Sequence, residues 1–160
     1  MTLEQRVKQL QAVQPKVKEK IIQACKDATI RAVEKAAEMT PTRPDELRGT
    51  NTQSGTMKQD WAAKSKTTPE VSGDKYTTYL NNDMPYASYV NDGHRVTRHF
   101  VPGLVINQSG VLEMNQDGTG GIVVGTKTSY VPGLHMVEAA KKVYQDTLKT
   151  ELDGIAELIK

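Results

Sequence analysis

The chain has 160 residues, of which 37% are hydrophobic and 25% charged, with one Phe, one Trp, one Cys and a net charge of +2. That length suits one compact domain, and the near-even charge balance excludes the dense basic stripe of an obvious nucleic-acid binder. The lone Cys25 excludes an intrachain disulfide and fits a reducing cytoplasm, and no apolar run approaches the roughly 18 residues of a membrane span.

Residues 1–39 read as one long helix. Leu3, Val7, Leu10, Val13, Val17, Ile21, Ala24, Ala28, Ala32, Ala36 and Met39 recur with a mean step of 3.6, the period of one helical face. Pro15 falls inside this pattern without shifting its phase, and its missing amide predicts a kink or a division there. Run continuously, the helix would be about 55 Å long at ~1.5 Å per residue, more than one small sheet can cover. Part of the stripe is therefore expected to pack on a neighbouring subunit. Lys8, Lys16, Lys18, Lys20 and Lys26 alternate with Glu4, Glu19 and Asp27, as on a solvated face, and Cys25 falls on the apolar stripe as a small buried hydrophobe.

Residues 40–56 have loop composition, with Pro41, Pro44, two glycines and many hydroxyls. At about 17 residues the loop is long for a connection. Asp45, Glu46, Leu47 and Arg48 are its expected partner contacts, mobile in the free subunit and ordered on assembly. Met57 and Trp61 then fit either a short helix or a strand.

The stretch 57–134 is expected to be β-rich. Tyr76–Leu80, Tyr86–Val90, Val96–Val101, Val111–Met114 and Ile122–Val124 carry the β-branched and aromatic residues that strands favour. Asn81-Asn82-Asp83 marks a turn, and Asp117-Gly118-Thr119-Gly120-Gly121 reads as the turn between the last two strands. Phe100-Val101-Pro102-Gly103-Leu104 is echoed by Tyr130-Val131-Pro132-Gly133-Leu134. Pro-Gly suits the centre of a type II turn, so both copies read as turns, flanking an inserted hairpin at about 104–127. Residues 135–160 return to helical spacing through Val137, Ala140, Tyr144, Leu148, Leu152, Ile155 and Ile159. The fold class is α+β in a single domain, 1–160, with long N- and C-terminal helices packed on an antiparallel sheet of about four to five strands.

Little in the chain points to chemistry. His94 and His99 are five residues apart, on opposite faces of a strand, and His135 is remote, whereas a metal needs three or four converging ligands. Asp92 with His94 lacks a nucleophile, Cys25 on a helix face lacks a base, and no Gly-x-Ser-x-Gly elbow occurs. Gly118-Thr119-Gly120-Gly121 is followed by a strand pattern, not by the helix that a phosphate loop opens. No catalytic residue, cofactor or metal is expected.

Pro85-Tyr86-Ala87-Ser88-Tyr89-Val90-Asn91-Asp92-Gly93-His94-Arg95 resembles the signature of the phage neck and tail-completion (head–tail joining) proteins of long-tailed bacteriophages, a Tyr-Ala-x-Tyr-Val strand followed by Gly-His-Arg. Ser54-Gly55-Thr56-Met57, with Trp61 after it, is similar to that family's Thr-Gly-x-Leu element. Tyr130-Val131-Pro132-Gly133-Leu134-His135-Met136 is similar to the turn that launches its last helix. The resemblance makes Ser54, Gly55, Met57, Trp61, Tyr86, Ala87, Tyr89, Val90, Gly93, His94, Pro132, Gly133 and Met136 the family-motif or assembly residues, with Tyr86 and Tyr89 on opposite strand faces. It implies a non-enzymatic virion protein of the neck, assembled in the bacterial host cytoplasm. As implied partners it has its own copies in a ring, with six as the expected number, the head connector or portal adaptor, and tail terminator or tail tube proteins. DNA would pass through the lumen without sequence-specific binding. The competing reading is a small nucleic-acid-binding or packaging accessory protein. Against it stands the absence of a basic stripe with interleaved aromatics.

Overall fold

The computed structural model describes residues 2–42, 55–110, 112–125 and 129–156. Helix α1 spans Leu3–Met39. Thr2 and Gln5 form a capping box at its start, each side chain bonding the other's backbone amide, which satisfies two of the amides a helix start leaves free. Pro15 lies inside the helix and does not divide it. The helix stops at Thr40, which turns to extended backbone while its amide and hydroxyl both bond the Ala36 carbonyl. Pro41 follows, and a residue before proline is driven out of helical torsions.

The C-terminal helix α4, Met136–Ala156, makes its most extensive contact with α1. The two run antiparallel: Met136 at the start of α4 meets Thr40, and Tyr144, two turns on, meets Cys25. The long helices thus pack chiefly on each other and not, as the sequence suggested, on a sheet. The alanines explain this. Ala28, Ala32 and Ala36 of α1 and Ala140 of α4 are buried, and side chains this small let two helix backbones approach closely.

Between the helices the chain forms helix α2 (Thr56–Lys64), strands β1 (Lys66–Ser72) and β2 (Lys75–Tyr79), and the short helix α3 (Ala87–Asp92). Strands β3 (Gly93–Arg95), β4 (His99–Pro102), β5 (Leu104–Ile106), β6 (Leu112–Met114), β7 (Gly121–Val124) and β8 (Tyr130–Pro132) follow. The fold class is α+β with antiparallel strands. The strands form four two-stranded pairs, β1–β2, β3–β8, β4–β7 and β5–β6, in place of one sheet of four or five.

Several local expectations are corrected. Residues 86–90 form the start of α3 and no strand; Tyr86 and Tyr89 are three apart on a helix, and both are exposed. The face carrying Ala87 and Val90 packs on the core, so the apolar residues sit at helical spacing, which the short Tyr-Ala-x-Tyr-Val run conceals. Of the expected Val96–Val101 strand only His99–Val101 is strand, in β4; Val96–Arg98 form the break that separates it from β3, so His94 and His99 lie on different strands. Strand β1 contains the buried Pro69 and a register shift between Lys66 and Glu70; proline removes a ladder donor, which hides such a strand from sequence reading.

The Gly118–Gly121 segment is not a β6–β7 hairpin turn, because β6 pairs with β5 and β7 with β4. It doubles back on Gly103, whose amide bonds the Gly120 carbonyl and whose carbonyl accepts from Asn115. Residues 43–54, with Asp45, Glu46, Leu47, Arg48 and Ser54, lie outside the described residues, as does Ile159.

Ala32, Val33, Ala36, Met57, Trp61, Met136 and Ala140 make up the central core cluster. Met57 and Trp61 are four apart on α2 and share its buried face, which settles the helix-or-strand ambiguity there. Burial of side chains this large stabilises by about 1.5–3 kcal/mol each.

Candidate functional site

The three stretches singled out in the sequence converge at the junction between the end of α1 and the start of α4. From α2, Trp61 Nε1 donates to Thr40 Oγ1 at 2.9 Å, and the Thr40 hydroxyl lies 3.4 Å from the Met136 sulfur. Asn82 Nδ2 donates to the Met57 carbonyl at 2.8 Å, and the Asp83 amide donates to Asp60, which is buried. These bonds fix α2 to the loop that leads into α3. At the surface of the same loop, Asp83 accepts from Lys64 at 3.0 Å and holds the Lys64 ammonium above its ordinary range.

From the other side, Asn91 ties α3 to α4. Its side-chain oxygen accepts from the Val137 amide at 2.9 Å and its carbonyl from the His135 amide at 3.0 Å, while the Val90 carbonyl accepts from Leu134 at 3.0 Å. A helix leaves its first amides unpaired; here the missing cap for α4 comes from a residue 46 positions away in sequence. Asn91 is not among the residues the sequence singles out. Its neighbours read as a strand, and nothing local marks an asparagine as the cap of a remote helix. Asn91→Ala leaves the Val137 amide without its partner and is expected to cost about 1–3 kcal/mol, measured by denaturant unfolding. Unchanged stability would mean that water replaces the cap at no cost.

Strands β3 and β8 pair Gly93 with Pro132, His94 with Val131 and Arg95 with Tyr130. Gly93 has φ +80°, and a Cβ there would lie 2.5 Å from the Val131 carbonyl oxygen and 2.6 Å from the Gly133 amide. Both the torsion and the space require glycine. Gly133 differs from Gly103. Gly103 has φ +76°, as a type II turn demands, whereas Gly133 has no positive φ and the left-handed residue is His135, at +51°. The expected second type II turn is therefore absent; Tyr130–Pro132 is a strand, and Gly133 is small because the Asn91–Gly93 backbone passes against it.

On the outside of this junction lies an exposed apolar face. Tyr89 is 57% exposed and meets the His94 ring edge-on at 5.6 Å. Tyr86, Tyr130, Val131 and Leu134 are exposed around it, with the Tyr130 hydroxyl donating to the Asp92 carbonyl. Isolated surface apolar residues need no explanation, but contiguous ones mark contact sites. Phe100 and Val123, a cross-strand pair, are exposed on the β4–β7 ribbon, and Ile106 and Met114 on the β5–β6 ribbon.

The groups with chemical potential remain apart. His94 Nδ1 lies 3.4 Å from the Tyr89 carbonyl, His99 Nδ1 2.6 Å from the Thr97 carbonyl, and His135 3.9 Å from Glu138. Among the described residues no group of three or more His, Cys, Asp or Glu could hold a metal ion. Burial pushes the Cys25 thiol up, partly offset by its hydrogen bond with Tyr144, which leaves it protonated near neutral pH and a poor nucleophile. A cleft of about 440 Å³ opens between α1, β2 and α4, lined by Thr29, Ala32, Tyr76, Leu80, Val137 and Tyr144 among others. Two of its polar groups are already bonded within the protein: Thr29 Oγ1 lies 2.8 Å from Thr78 Oγ1 and 2.7 Å from the Cys25 carbonyl. No described helix is long and apolar enough to cross a membrane.

Of the motif residues, Met57, Trp61, Ala87, Val90, Gly93, Pro132, Gly133 and Met136 build the junction, while Tyr86, Tyr89 and His94 form its outer face. Gly55 stands at the start of α2 as its N-cap. A family model for HK97-gp10-like proteins, described as tail components of the bacteriophage HK97-gp10 type, matches residues 4–93, more than half of the chain. The match runs from α1 to the first residue of β3. No curated protein and no solved structure matches the chain.

Proposed function

The chain belongs to the HK97-gp10-like family of bacteriophage tail components, and on that premise we propose that it is a structural subunit of the virion neck. Its copies form a ring, with six as the expected number, that joins the head connector or portal adaptor to the tail terminator or tail tube. The subunit does no chemistry; DNA passes through the lumen without sequence-specific contact. The observation that carries this reading is the exposed face of Tyr86, Tyr89, Tyr130 and Leu134, mounted on a junction held by the Asn91 and Trp61 hydrogen bonds. Tyrosines on a rigid support are typical anchors of protein interfaces.

A Tyr86→Ser, Tyr89→Ser double variant tests it. Both side chains are exposed, so melting of the free protein should change little. Loss of an anchoring tyrosine weakens an interface by about 2 kcal/mol, about 30-fold in affinity. Phage carrying the variant should accumulate unjoined heads and tails, counted by electron microscopy. Normal joining, or a virion map in which the neck lacks this chain, would refute the proposal.

A further inference from the structure

Helix α1 is longer than its own subunit can cover. Its 37 residues run about 55 Å and the 21 residues of α4 about 31 Å. Since α4 lies antiparallel from Thr40 downward, the N-terminal part of α1 extends beyond it. None of residues 2–23 is buried, although Leu3, Val7, Leu10, Val13, Val17 and Ile21 continue the apolar stripe.

On one side of this overhang, Asp74 and Tyr76 of the β1–β2 hairpin form a wall. They leave a groove of about 350 Å³ floored by Leu10, Val13, Val17 and Ile21. Charge is distributed unevenly around it. Residues 3–20 carry Arg6, Lys8, Lys16, Lys18 and Lys20 against Glu4 and Glu19; the groove lining itself holds Lys18 and, on the hairpin wall, Asp74, so the positive excess lies along the helix. The far end of α4 has the opposite balance. From Asp146 to Ala156 it carries Asp146, Glu151 and Asp153 against Lys149, and Leu152 stands 41% exposed between two of those acids.

We propose that the groove along the α1 overhang receives the C-terminal half of α4 from a second copy of this chain. Leu152 of that copy enters between Leu10 and Val17, and its acids face the basic rim. The inference rests on the ring reading and deepens it by naming the two surfaces that meet. Because they are different surfaces, the contact is heterologous, the kind that repeats from copy to copy and makes a ring when the rotation between copies closes. An apolar contact flanked by opposite charges also fixes register and disfavours like-on-like pairing.

Disulfide trapping with the full chain tests this. Leu10→Cys and Leu152→Cys proteins are mixed at high concentration under mild oxidation. Cys25 is buried, so wild-type protein supplies the baseline. The mixed dimer should form at least about tenfold faster than with Leu10→Cys and Ser109→Cys, a control on the exposed β5–β6 turn. Adding Lys16→Glu, Lys18→Glu and Lys20→Glu to the Leu10→Cys protein should remove most of that preference. Glu151→Lys with Asp153→Lys in its partner should restore it. A rate equal to the Ser109 control, or charge reversal without rescue, overturns the proposal. If trapping fails while wild-type virions still carry the chain in the neck, this contact falls and the ring reading stands; a neck without the chain removes the ring reading itself.

Discussion

Gly133→Ala is expected to be among the most damaging single substitutions in the chain, lowering stability by about 3–5 kcal/mol. A Cβ at this position would collide with the Asn91 carbonyl oxygen and come within 2.5 Å of the Asp92 carbonyl carbon and 2.6 Å of the Gly93 amide. All three are backbone atoms, so no flexible side chain can swing aside. To make room, β8 must separate from the α3–β3 turn, which breaks the His135 and Leu134 hydrogen bonds that launch α4. Torsion does not enter, since Gly133 has no positive φ. The contrast is Gly154→Ala. Gly154 lies inside α4 with nothing within 4 Å of the added Cβ, so the same change should stabilise by about 0.5–1 kcal/mol through helix propensity. Denaturant unfolding of both variants reads the difference directly, and a Gly133→Ala protein as stable as wild type would show that the α3–β3 turn shifts aside without cost.

Trp61→Ala carries the second large effect. The indole is 3% exposed within the cluster of Ala36, Met57 and Met136, and it is the chain's only tryptophan. Truncating a buried tryptophan costs about 3–5 kcal/mol, from lost transfer energy plus the cavity left behind. For a chain of this size each kcal/mol lowers Tm by about 2–4 °C, so a drop of about 10 °C is expected by calorimetry. Trp61→Phe separates packing from hydrogen bonding. It keeps a large ring but removes the donor to Thr40, whose hydroxyl still donates to Ala36, so it should cost only about 1–2 kcal/mol. Equal losses for Ala and Phe would mean that the hydrogen bond, not the packing, dominates.

The candidate site is partly legible in the amino-acid sequence. Met57, Trp61, Gly93, Gly133 and Met136 stand out by resemblance, and all of them lie at one junction. What they do there is less accessible. Gly133 looks like half of a turn because Pro-Gly usually is one, and only the chain passing behind it shows a different constraint. Tyr86 and Tyr89 are expected on two faces of a strand, yet a five-residue apolar run fits a strand or one turn and a half of helix equally well. Asn91 escapes notice for a related reason: its partner amide belongs to Val137, and sequence distance conceals the pairing.

The two long helices follow from the sequence alone, because a 3.6-residue period sustained over many turns has one good solution, and capping at Thr2 and Pro41 after Thr40 mark the limits of the first. Most strand positions between residues 76 and 124 are legible from their β-branched and aromatic runs, and the family from the motifs that resemble it. Which strands pair is a matter of tertiary packing, since strands of three to seven residues carry too few side chains to specify a neighbour. Packing likewise lays α1 and α4 on each other, and buries the stripe of α1 only from Ala24 onward. Amphipathic periodicity states that a face must be covered; which element covers it, and how far along, depends on the lengths and small-residue surfaces of two helices about a hundred residues apart.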